Sequence, residues 1–199
     1  LERAFHLASA GRPGPTWVDI PVDVSNTMID PEAQLGYDPL EDANEMPADK
    51  LSSVVADVLA RLQKAERPVV MAGSGVHIAG ALGIFERVTR QLGIPVTTAW
   101  TAHDLVASDD PLFCGRPGSI GDRPGNFTVQ NSDVLLVLGS RLNIRQVSYN
   151  WKDFARHAFK IQVDADQAEL IKPLVKCDLP VQCDLKLFLV EMERQLTVR

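Results

Sequence analysis

The residues best suited to chemistry sit at the ends of short apolar runs. Gly73-Ser74-Gly75 closes the run Arg67-Pro-Val-Val-Met-Ala72 and precedes a helix-like pattern. Glycines let a backbone turn tightly and let a phosphate approach the N–H groups at a helix start. A full dinucleotide fingerprint needs a further glycine at position 78, which is Ile78, and Gly80 comes two residues late. The turn therefore reads either as a phosphate cradle or as a tight strand-to-helix turn without a ligand. Arg141 follows the run Val134–Leu138 and Gly139-Ser140. At the carboxyl end of a parallel strand its guanidinium can pair with a phosphate in bidentate fashion; the other reading is a surface ion pair. Arg145, four residues on, can join it on the phosphate, but a surface ion pair is the reading favoured for Arg145. Thr97, Thr98 and Trp100 follow a second apolar run, where backbone and hydroxyl groups can meet a diphosphate. Asp164 ends the run Phe159–Val163, and Asp184 follows Val181–Cys183. Helix capping is the reading for Asp184 and one of two for Asp164. Gly115-Arg-Pro-Gly118 and Gly121-Asp-Arg-Pro-Gly125 form a glycine-dense loop, which either approaches a ligand or neighbouring subunit closely or serves as a plain connector.

These residues need a sheet to hold them. Leu51, Val54, Val55, Val58, Leu59 and Leu62 fall on one helical face, as do Ala81, Ile84, Phe85, Val88 and Leu92, with Gly93 as the stop. Leu185, Phe188, Leu189, Met192 and Leu196 give a last amphipathic helix, and Asp166 with Glu169 marks a short capped one. Strands are expected at Val69–Met71, Ile94–Thr98, Asp133–Gly139, Phe159–Asp164 and Val181-Gln182. Strands alternating with helices predict an α/β fold with a doubly wound, Rossmann-like parallel sheet. The expected domain lies at 47–199. Before it, residues 1–24 read as a helix, a Gly/Pro breaker and a strand over Thr16–Val24, and residues 25–46 have the composition of a linker.

The chain has 199 residues and 45% hydrophobic residues, which is a globular composition. A net charge of −6 without a Lys/Arg cluster argues against a nucleic-acid surface. The longest apolar run is strand-sized, so no membrane partner is expected. Cys114, Cys177 and Cys183 include no CxxC pair, which argues against a disulfide framework or a zinc site and for a reducing cytoplasm. The chain begins mid-pattern, without an initiator Met, and reads as a piece of something longer.

Three segments together resemble the thiamine-diphosphate enzymes, and the acetolactate synthase branch most closely. Gly11-Arg-Pro-Gly-Pro-Thr-Trp-Val-Asp-Ile-Pro-Val-Asp-Val24 is similar to the closing strand of their pyrimidine-binding domain. Pro95-Val-Thr-Thr98 with Asp109-Asp-Pro-Leu112 and Gly115 resembles their central domain. So does Asp133-Val-Leu-Leu-Val-Leu-Gly-Ser-Arg141 with Ile161-Gln-Val-Asp164 and Cys183-Asp184.

The resemblance implies a parent enzyme that uses thiamine diphosphate and Mg2+, decarboxylates a 2-oxo acid and joins the product to an acceptor, as a transferase or lyase. Its catalytic glutamate and its Gly-Asp-Gly magnesium motif would lie outside this chain. Gly121-Asp122-Arg123 lacks the second glycine of that motif. No catalytic or metal-binding residue is therefore assigned here, and the chain alone is expected to be inactive. The same resemblance places FAD or ADP against Gly73, Ser74, Gly75, Thr98, Gly115 and Arg141, with Asp164 and Asp184 near an adenosine ribose. Ala99-Trp100 departs from the flavin-binding relatives, and the indole could fill the flavin channel. Expected partners are the remaining domains of the same subunit and further copies in a homodimer or homotetramer. The competing readings are a stand-alone nucleotide-binding flavoprotein or oxidoreductase, and a ligand-free oligomerisation module. A sirtuin-type deacylase would need paired CxxC motifs, which are absent.

Overall fold

Five short apolar runs form one all-parallel sheet in the computed structural model, which describes residues 1–42 and 46–198. The strands are β1 (Pro68–Ala72), β2 (Val96–Thr98), β3 (Val134–Leu138), β4 (Phe159–Asp164) and β5 (Leu179–Gln182), in the order β2-β1-β3-β4-β5. Register is regular: Val70 lies beside Val96 and Leu136, and Leu136 beside Ile161. The sheet belongs to unit Met46–Arg199, one of two compact units; the other is Leu1–Glu45.

Nine α-helices accompany the strands among the described residues: α1 (Glu2–Ser9), α2 (Val22–Ser25), α3 (Ala48–Lys64), α4 (Gly75–Ile78), α5 (Leu82–Leu92), α6 (Arg123–Gln130), α7 (Ile144–Val147), α8 (Gln167–Ile171) and α9 (Leu185–Val198). Alternation along each strand sends side chains to opposite faces of the sheet. Val70, Ala72, Leu136, Leu138, Ile161, Val163 and Val181 pack with the stripes of α3, α5 and α9. Phe85 and Phe188 are fully buried there. Burial of such a side chain stabilises by about 1.5–3 kcal/mol. Val69, Met71, Leu135 and Val137 pack instead with Val129 of α6, Leu142, Val147 of α7, Phe154 and Val175. Helical cover on both faces makes the sheet doubly wound, as the strand–helix alternation predicts.

Two local expectations differ from the structure. Residues 13–21, expected to include a strand, form no ladder, and Val22–Ser25 is a helical turn. A strand exists only through pairing, and no neighbouring strand is present in that unit among the described residues. Its exposed Trp17 (89%) and Leu35 (99%) leave little core there. That unit is tied instead by polar contacts. Arg3 makes two bonds to Asp42 (2.9 and 2.8 Å), and Tyr37 Oη donates to the same carboxylate (2.7 Å). Second, Arg123-Pro-Gly125, expected in a glycine-rich loop, is the first turn of α6. Asp122 caps that helix by accepting from the Gly125 N–H at 2.7 Å, and the proline supplies a preset φ.

Candidate functional site

β1 and β3 are neighbours whose connections leave on opposite faces, β1 toward α4 and α5 and β3 toward α7. That fork opens a crevice at the carboxyl ends of the strands, where open α/β sheets bind ligands. The crevice has a volume of about 530 Å³. Its walls are Gly73-Ser74 after β1, Ala99–Thr101 after β2, Gly139–Arg141 after β3, and Asn143, Arg145 and Gln146 around α7.

The crevice floor is a close approach of two backbones. A Cβ built on Gly75 would lie 2.6 Å from Gly139 Cα, and one on Gly73 would overlap the Gly139 carbonyl. Gly139 itself has φ 58°, where a side chain is strained. The Gly73 N–H donates to Leu138 O (2.9 Å) and the Gly75 N–H to Gly139 O (3.0 Å). The glycines thus weld the ends of β1 and β3. Two of the three amides of the turn are committed to that weld and are not offered to a ligand. The helix that follows, α4, is one turn long, so it brings little dipole to the site. Positive charge has to come from side chains.

Two arginines supply it. Arg141 Nε pairs with Glu169 Oε1 at 2.8 Å, while its side chain stays 55% exposed at the crevice. Glu169 also holds Lys172 at 2.8 Å, and the Lys172 ammonium donates to the Arg141 carbonyl. The ion-pair reading and the rim position therefore both apply to Arg141. The Arg145 guanidinium lies 5.9 Å from the centroid of the Trp100 ring, which meets His103 edge-on. Asn143 caps α7 by accepting from the Arg145 N–H at 3.0 Å. Gln162 Nε2 donates to Ser140 O at 3.2 Å and fixes the turn after β3. No carboxylate lines the crevice among the described residues. Its chemistry suits an anion beside an aromatic surface.

Gly73, Ser74 and Arg141 share the crevice, and Gly75 braces it from below. The other expected residues lie outside its walls. Thr98 is fully buried, and its hydroxyl has no hydrogen-bond partner among the described residues. Gly115, at φ 92°, accepts from the Thr98 N–H through its carbonyl (3.2 Å), and a Cβ there would strike the Asp122 carboxylate. Asp122 also accepts from the Arg116 N–H at 2.9 Å, so this loop is organised internally. Asp164 is 8% exposed at the end of β4 and accepts from the Asp166 N–H at 3.0 Å. It takes the reciprocal place in the α8 start that a capping box would give to Glu169, which holds Arg141 instead. Asp184 caps α9, accepting from the Leu187 N–H at 3.0 Å. The sequence alone favours a surface ion pair for Arg145 over a place beside Arg141 on a phosphate, and it assigns no chemistry to Asn143 or Gln146. Asn143 as a helix cap was the one available signal, since a four-residue helix has no period to read.

Among the described residues no group of three His, Cys, Asp or Glu is placed to hold a metal ion. No helix among them is long and apolar enough to cross a membrane.

Comparison with known proteins places this geometry. Residues 55–192 match the family model described as thiamine pyrophosphate enzyme, central domain. The chain is 33% identical over 201 residues to a probable acetolactate synthase large subunit of Methanococcus aeolicus, covering 97% of this chain and 32% of the relative. It is 35% identical over 191 residues to a probable acetolactate synthase large subunit of Methanocaldococcus jannaschii (92% and 31%). It is 32% identical over 190 residues to the acetolactate synthase large subunit of Lactococcus lactis subsp. lactis (94% and 32%). The chain thus spans about a third of the length of these relatives, and it belongs to the thiamine pyrophosphate enzyme family, of which it carries the central domain.

Proposed function

We propose that this domain serves a thiamine diphosphate- and Mg2+-dependent enzyme of the acetolactate synthase type, as its scaffold and as the holder of an ADP-bearing cofactor such as FAD. The observation that carries the nucleotide reading is the carboxylate-free crevice at the fork of β1 and β3, with Arg141, Arg145 and Trp100 in its walls. In this role Arg141 pairs with a diphosphate oxygen while Glu169 holds its Nε in place. Ser74 and Ser140 offer hydroxyl donors, and the Trp100 indole offers a face or edge to a base. Thiamine diphosphate, bound elsewhere in the subunit, supplies the carbanion-stabilising chemistry of decarboxylation and carboligation on a 2-oxo acid. Residues of this chain bind and orient, and none acts on the substrate. The parent works in the cytoplasm as a homodimer or homotetramer.

The amides of Gly73 and Gly75 favour a second reading, a crevice kept as a structural weld with no nucleotide. Thermal unfolding in the presence of ADP and of FAD separates the two. A ligand at a hundredfold excess over its Kd stabilises by about 2.7 kcal/mol. We expect an upward shift of Tm with ADP or FAD that Arg141→Ala removes. No shift with either one sinks the nucleotide reading and leaves the scaffold.

A further inference from the structure

The chain has 26 acidic residues against 20 Lys and Arg. Yet a groove of about 560 Å³ near the amino end of β4 gathers Lys152, Arg156, Lys160, Lys172 and Lys176 around one lining carboxylate, Asp178. That carboxylate is already engaged. It accepts from the Lys160 backbone N–H at 3.0 Å and lies 3.5 Å from Lys176 Nζ. Lys172 is held by Glu169, outside the groove wall, at 2.8 Å. The Lys160 ammonium donates to the carbonyls of Ala155 (3.1 Å) and Ala158 (3.0 Å), which uses two of its three hydrogens. Burial lowers its pKa, and Asp178 offsets this only in part. Lys152 and Arg156 are exposed and make no ion pair among the described residues.

Like charges converge in a concavity only against their mutual repulsion. Trp151 and Leu174 add an apolar side to the same groove. Its volume is that of a small-molecule site. We propose that this groove is a binding site for a small organic anion carrying two or more carboxylate or phosphate groups. The cations take the charged groups, and the half-buried Trp151 with the exposed Leu174 takes the carbon skeleton. A long polyanion suits the surface poorly. The basic residues occupy one hollow in a chain of net charge −6, and the remainder of the surface repels a polyelectrolyte.

Calorimetric titration of the protein with citrate and, separately, with inorganic pyrophosphate tests this. Saturable 1:1 binding of at least one probe is expected, weakening as NaCl rises. Citrate alone identifies a polycarboxylate ligand, pyrophosphate alone a phosphate ester or anhydride, and both a site that reads charge. The double variant Lys152→Glu/Arg156→Glu alters only exposed side chains and is expected to keep the fold while weakening binding by roughly tenfold or more. Lys50→Glu/Lys186→Glu makes the same change of net charge at exposed positions elsewhere and is expected to leave affinity within about twofold. Equal loss in both double variants overturns the proposal, because net charge and not the groove then governs binding. Absence of saturable binding with both probes overturns it too, as does tight binding confined to an RNA oligonucleotide.

Discussion

On one face of the sheet, α3, α5 and α9 (17, 11 and 14 residues) lay periodic apolar stripes across β1, β3 and β4. On the other, α6 and α7 have 8 and 4 residues, and irregular stretches such as Leu142 and Phe154–Ala158 complete the cover. A long helix satisfies its own backbone and needs only its stripe buried. An irregular segment must find partners for its N–H and C=O groups, so it brings polar side chains with it. Gln146 Nε2 donates to Pro117 O, Asn126 Oδ1 accepts from the Gly118 N–H at 3.0 Å, and Lys160 Nζ reaches Ala155 and Ala158. The first face therefore holds most of the packing. The second carries side chains that can meet a ligand, as loops on a rigid scaffold commonly do.

The difference can be broken with a pair of truncations. Phe188 on the first face has no exposed surface, and Phe154 on the second has 5%. Phe188→Ala should cost about 3–5 kcal/mol, since regular helices relax little around the cavity. Phe154→Ala should cost less, because irregular neighbours can close on the space. Urea unfolding of the two variants measures both, and equal costs would mean that the faces do not differ in rigidity.

A second pair sharpens the role of the crevice floor. Gly139 and Gly80 share φ 58°. A Cβ at Gly80 meets nothing within 4 Å, whereas one at Gly139 lies 2.7 Å from Gly75 Cα. Gly80→Ala should therefore cost only the left-handed backbone term, about 1–2 kcal/mol. Gly139→Ala should cost clearly more and abolish any Tm shift with ADP or FAD, because β1 and β3 must separate. Similar costs at the two sites would show that the weld is soft.

The same contrast explains what was legible in the sequence. The stripes Leu51–Leu62, Ile84–Leu92 and Leu185–Met192 follow the helical period, and the runs that became strands are continuous and apolar, so the sheet and its first face could be read directly. Gly93 as a stop, with φ 62°, and the caps at Asp166 and Asp184 were equally local signals. The crevice was half legible. Gly73, Ser74 and Arg141 lie at strand ends, which topology sends to one rim. Arg145 and Gln146 come to that rim through a turn at Leu142, a non-glycine residue at φ 48°, which no period announces. Gly73 and Gly75 drew notice as a phosphate turn, yet their lack of side chains is also required by Gly139, more than sixty residues away. Such a contact cannot be inferred from local spacing. The strand expected within Thr16–Val24 failed for the complementary reason, that its formation depends on a partner strand not found among the described residues of its unit.

The smallest expected effect concerns acid. On the first face, α9 meets α3 through a polar seam: Glu191 accepts from Arg194 at 2.6 Å and from Gln195 at 2.7 Å, and Gln195 reaches Ser52 O at 2.8 Å. The Arg194 guanidinium, ahead of Gln195 and Ser52 and against the opposing effect of burial, holds the Glu191 carboxyl down at about 2 instead of its ordinary 4.5. A carboxyl depressed by folding contributes stability that is complete above its unfolded pKa and is lost as pH falls through its folded one. The window is therefore pH 4.5 down to about 2. Glu191→Gln should lower the urea midpoint slightly at pH 7, and the gap from the unaltered protein should shrink as pH falls through that window. A gap that stays constant from pH 7 to 2 would mean that the seam between α9 and α3 is not electrostatic.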